Sequence, residues 1–215
     1  MEGEAPAALH SEAAAPAPRA GGRPPLHWLL EGLFIVVSVV LGFTVSEYGK
    51  ARDDRELARR MLTSIQAEIE HNRRTLEPFI PIHRSWSEAL DRRNPADATG
   101  SAVELFFEAR PQLPSEITAN VPLLRRAAWD TAVSTGALRL IDYDLAAGLS
   151  EMYRMQEYAY STFGAMFAQP AFFDPAGRAG TFKQAQTMMV EMTWAEEAVL
   201  KLYDKHLPAI RAAAE

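Results

Sequence analysis

The sequence predicts an all-α protein: one N-terminal transmembrane helix continuing into a long helix, then an extramembrane helical bundle. Three observations predict it. Residues 26–45, LHWLLEGLFIVVSVVLGFTV, form an apolar run with Glu31 as its only formal charge. A bilayer hydrocarbon core about 30 Å thick needs about 20 such residues in a helix. Beyond it, apolar residues recur at steps of three and four, the spacing of one helical face. No segment alternates apolar and polar residues in the manner of a half-buried strand.

Each element follows from local chemistry. Residues 1–25 are rich in Ala, Pro and Gly and lack apolar periodicity, so they read as a disordered tail. Pro24 and Pro25 block any helix upstream, so the membrane helix, 26–46, starts just after them. An uncleaved anchor is the better reading than a signal peptide, whose apolar region is shorter and is preceded by basic residues, whereas this start carries Glu2 and Glu4. In the span, Ser38 and Thr44 can hydrogen-bond back to the helix. Over residues 47–77, Lys50, Arg52, Arg55, Arg59 and Arg60 interleave with Asp53, Asp54 and Glu56 around an apolar stripe of Leu57, Met61, Leu62, Ile65 and Ile69. This helix should end near Leu76, because Glu77 precedes Pro78 and a residue before proline is pushed out of the helical region.

Residues 78–215 supply the bundle that packs with the long helix. Short helices are expected over 83–93, closed by Asn94-Pro95, and over 102–110, closed by Pro111 and Pro114. An amphipathic helix over 123–135 should end at Gly136, the position a C-terminal glycine takes. Asp142 or Asp144 can cap the next helix, whose apolar face includes Leu149, Met152, Tyr153, Tyr160 and Phe163. After a Pro/Gly loop over 169–180, a last helix over 181–212 carries Met188, Met189, Met192 and Trp194. Pro208 is expected to kink or end it.

The composition excludes several functions and leaves the chemistry sparse. No cysteine is present, which removes disulfides and thiolate metal sites. The net charge is −6, and acids outnumber bases beyond Met61, so a nucleic-acid surface is not expected. Glu68 and His71 have the Glu-x-x-His spacing of carboxylate-bridged metal sites, but no second such pair exists. A solvated polar face is therefore the expectation there, with no metal and no cofactor. His83 and His206 are isolated in sequence, and no phosphate loop, nucleophile elbow or His-Glu-x-x-His motif occurs. No catalytic residue is assigned.

The residues expected to bind partners lie in two places. Steps of four and seven put His27, Glu31, Ser38, Gly42 and Ser46 on one stripe of the membrane helix. Ser38, Gly42 and Ser46 are spaced to let a second helix approach closely. An acid at membrane depth should be neutral, paired or turned toward protein, or else reach the headgroups from the entry interface. Phe172 and Phe173 sit in a Pro/Gly-bounded loop that is hard to bury, so they are expected to meet a partner groove or the bilayer surface.

Two stretches resemble a family of uncharacterised bacterial single-pass membrane proteins known as a domain of unknown function. One is the anchor: Leu30-Glu31-Gly32, the Ile/Val-rich 35–40, and the charged helix after Tyr48. The other runs from Trp129 through Gly136 to Ile141, with Asp144, Leu145 and Tyr153 downstream. The resemblance implies a bacterial inner membrane with the helical domain in the periplasm, and it supplies no catalytic residues. The basic residues flanking the span, Arg19 and Arg23 before it against five after it, favour the opposite orientation. The acids interleaved among the latter favour the periplasmic side, since they give those arginines a role in helix pairing.

The function these features imply is a non-catalytic, membrane-anchored accessory or scaffolding subunit of a larger membrane complex, such as a respiratory or photosynthetic one. Its partners would be the lipid bilayer, other integral membrane subunits, or a second copy of itself. Two alternatives stay open: a single-pass sensor with a ligand-binding helical domain, and a membrane-bound hydrolase.

Overall fold

The structure is a computed structural model that describes residues 25–94, 96 and 100–214. The expected tail thus lies, Pro25 apart, outside the described residues, as does part of the loop after Asn94. The protein is all-α, with no strand among the described residues. Among the described residues six α-helices follow one another: α1 Pro25–Leu76, α2 Phe79–Asp91, α3 Ala102–Glu108, α4 Ala127–Ser134, α5 Tyr143–Phe167 and α6 Arg178–Ala214. Compactness divides the chain into two units, residues 1–49 and 50–215.

In the first unit every residue from Leu26 to Gly49 is exposed. Its helix is long and apolar enough to cross a membrane. Ser38 Oγ donates to the Phe34 carbonyl and Thr44 Oγ1 to the Val40 carbonyl, both at 2.8 Å. The two hydroxyls are thereby satisfied within the helix, as an apolar environment requires.

The second unit is built around two apolar clusters, and α6 contributes to both. One gathers Leu62, Ile65, Ile69 and Leu76 of α1 with Trp129, Leu149, Met152, Val199, Tyr203 and Ile210. The other joins Trp86 and Leu90 of α2, Leu105 and Phe106 of α3, Phe172, and Phe182, Met189 and Met192 of α6. The stripe repeating every three or four residues is what lets one helix line a core over its whole length.

Several boundaries differ from the sequence expectation, each for a physical reason. Helix α2 begins at Phe79, four residues before His83, and includes Pro81. Proline is tolerated in a first turn because the N–H it lacks has no intrahelical acceptor there. Helix α3 starts behind a capping box in which Ser101 and Glu104 bond each other's backbone N–H. Helix α4 starts at Ala127, not at Leu123, because Arg125 is held by Asn72 of α1. Gly136 follows it with φ +68°, the left-handed conformation glycine takes most easily. Asp142 Oδ1 accepts from the N–H groups of Asp144 and Leu145 at the start of α5. Pro208 does not end α6, which runs on to Ala214.

Candidate docking face and buried polar network

On α1 the five stripe residues fall within an arc of about 100° at 3.6 residues per turn. All five are exposed. A Cβ placed on Gly42 would meet nothing within 4 Å, so no contact among the described residues requires glycine there. Glu31 has no hydrogen-bond or ion-pair partner among the described residues. The helix therefore presents a polar and small-residue stripe that stays exposed among the described residues.

The second expected site divides in two. Phe173 is 52% exposed, but Phe172 is fully buried. The Phe172 ring meets Phe106 at 5.9 Å and Phe167 at 5.4 Å, both edge to face. Its assignment as a partner-binding residue is corrected: Phe172 belongs to the core. A 3₁₀ turn over Pro170–Phe172 turns that side chain inward while its neighbour stays outside.

The helical unit also buries a set of polar groups that sequence reasoning did not single out. Glu68 is 7% exposed, which corrects the expectation of a solvated face. Its carboxylate accepts from the N–H of Ala128 at 2.9 Å and of Trp129 at 3.3 Å, and from the Tyr153 hydroxyl at 2.7 Å. Those amides belong to the first turn of α4, so a carboxylate from α1 does the work of an N-cap side chain. Burial, and then the adjacent Glu68, push the Tyr153 hydroxyl well above its ordinary range, so it stays a donor. The Trp129 and Tyr153 rings stack at 4.8 Å.

One helical turn further along α1, Asn72 grips the Arg125 backbone from both sides. Its Nδ2 donates to the Arg125 carbonyl at 2.6 Å, and its Oδ1 accepts from the Arg125 N–H at 2.7 Å. Gln156 Nε2 also donates to that carbonyl, at 3.2 Å, and Gln156 Oε1 accepts from the Tyr203 hydroxyl at 2.8 Å.

A third group joins three helices. His83 of α2 and Glu196 of α6 are both fully buried. Nδ1 of His83 lies 2.8 Å from each Glu196 oxygen, and Nε2 lies 2.8 Å from the Asn120 carbonyl. A carbonyl cannot donate, so Nε2 is the donor in that contact, while Nδ1 faces the carboxylate. Tyr160 of α5 donates to Glu196 Oε1 at 2.9 Å. Desolvation and the Glu196 charge keep that hydroxyl protonated.

What can this arrangement do chemically? Glu68, Asn72 and His83 each bond main-chain atoms of the segment leading into α4 or of its first turn. Their remaining polar contacts go to buried side chains, Tyr153 for Glu68 and Glu196 for His83. Glu68 already accepts three hydrogen bonds and both nitrogens of His83 are engaged, so these side chains act first as structural contacts. The Glu68–His71 pair likewise converges on nothing, since Glu68 turns to α4. No group of three or more His, Asp or Glu suited to a metal occurs among the described residues.

No known family model, curated protein or solved structure matches the chain.

Proposed function

We propose that this chain is a membrane-anchored, non-catalytic accessory subunit that stabilises a larger membrane assembly, docking through His27, Glu31, Ser38, Gly42 and Ser46. The observation that carries the reading is the exposure of every residue from 26 to 49 in a helix long and apolar enough to cross a membrane. An apolar helix of this length is stable only when lipid or another protein surrounds it. A small-residue stripe is where a second helix comes closest.

The test is native electrophoresis of the full chain from membranes solubilised in mild detergent. The expected result is migration within a larger assembly, and release from it by Ser38→Leu with Gly42→Leu while circular dichroism stays unchanged. Migration of the wild-type chain alone, or an assembly indifferent to the double substitution, would count against the reading.

The helical unit belongs, in this reading, in the periplasm of a bacterial cell. A thiol introduced at exposed Asn94 should react with a membrane-impermeant reagent in intact cells. Reaction only after lysis would reverse the orientation.

A further inference from the structure

Between α3 and α4, residues 110–126 form no helix. Irregular segments of this length inside a compact domain are uncommon and are often lids or binding loops. Of these residues only Pro122 is buried. The backbone bond Ile117 N to Pro114 O, at 2.9 Å, is the one made wholly within the segment. Arg110 closes it on itself by donating to Asn120 Oδ1 at 2.8 Å. Few buried contacts and few backbone bonds are the marks of a region that opens locally.

Among the described residues, one hydrogen bond ties 111–124 to the helices, from His83 Nε2 to the Asn120 carbonyl. The next fixed point is Arg125, gripped by Asn72 and Gln156. The ring that makes the tie is oriented by Glu196, and Glu196 by Tyr160. Three helices thus converge on a single carbonyl. A buried polar pair of this kind is weak evidence for stability, and its best-attested use is to select one arrangement over another.

We propose that residues 111–124 are a detachable strap, latched by His83 and Glu196 and hinged at Arg125. Closed, the strap walls a groove of about 440 Å³, with residues 121–124 facing Tyr153, Gln156 and Tyr160 of α5. Opened, it bares that face of α5 and withdraws Leu124 and Val121 from the edges of the two apolar clusters, whose buried residues all lie outside the strap. The latch acts as a positioning pair: its work is to hold one loop shut.

Because the protein has no cysteine, thiol reactivity reads the strap directly. A thiol introduced by Pro122→Cys reports strap opening. One introduced by Ala159→Cys, at a position on α5 that is 1% exposed, reports opening of the helical body. In the full chain held in detergent, the thiol at 122 is expected to react at least tenfold faster than the thiol at 159. Adding His83→Leu should speed the first by a further tenfold and leave the second unchanged. Equal rates at the two positions, or acceleration of both alike by His83→Leu, would overturn the proposal. The first comparison decides even if the His83→Leu chain does not fold.

Discussion

A buried acid that replaces a helix cap shows how much one residue can carry. Glu68 satisfies two amides at the start of α4 and the Tyr153 hydroxyl. Removing a partner from a buried, charge-assisted network typically costs about 3–5 kcal/mol, because the remaining groups are left desolvated and unpaired. Glu68→Ala should therefore lower the unfolding free energy by about that amount in urea titration. Glu68→Gln, which keeps an acceptor, should lose less. A second residue pair is decided by space. A Cβ on Gly148 of α5 would run into the His206 ring of α6, so Gly148→Ala should cost about 1–3 kcal/mol of overpacking. In a His206→Ala background most of that cost should vanish, which a double-mutant cycle measures.

The same histidine sets a pH dependence. Burial and the charge of Lys205 lower the His206 pKa from its ordinary 6.5, and its buried Nε2 has no partner. The folded chain therefore binds this proton less readily than the unfolded chain does. Stability from the neutral ring is present above about pH 6.5 and is lost as pH falls below it. His206→Gln should flatten the fall in unfolding midpoint between pH 7 and 5.

For the elements, the sharpest test is the Phe172–Phe173 pair. The turn over Pro170–Phe172 sends one ring into a cluster with Phe106 and Phe167 and leaves the other half outside. Phe172→Ala should cost about 3–5 kcal/mol by cavity formation. Phe173→Ala should stay within about 0.5 kcal/mol, as surface changes do. Similar losses for both would mean that the loop folds otherwise. The long charged stretch of α1 depends less on any one contact. Arg59 and Arg60 both bond Glu56, and exposed pairs of this kind add little to stability. That stretch is helical because of its apolar stripe, whose Leu62, Ile65 and Ile69 are almost wholly buried.

At the scale of the whole molecule, one run of residues is long and apolar enough to cross a membrane. A charge at the bilayer centre costs about 2.5–3.5 kcal/mol on insertion scales. Val36→Arg with Val39→Arg should therefore shift the full chain from alkaline-washed membranes into the soluble fraction. Retention in the membrane would assign the attachment to another part of the protein.

Much of this architecture is legible in the chain because it rests on local chemistry. The apolar run over 26–45 stands out by length, and the long helix ends at Leu76, one residue before Glu77-Pro78, as expected. Gly136 and Asp142 take their capping places because glycine's freedom and an aspartate's short carboxylate act on neighbours a few residues away. Only the tertiary structure decided which polar group meets which. His83 reaches Glu196 across 113 residues, and Asn72 reaches Arg125 across 53. No periodicity encodes such a pairing. For the same reason Glu68 looked solvated, the start of α4 was placed too early, and the two phenylalanines could not be told apart. Backbone preference is settled within a turn or two of helix, whereas the burial of a side chain is settled by whatever the rest of the chain brings against it.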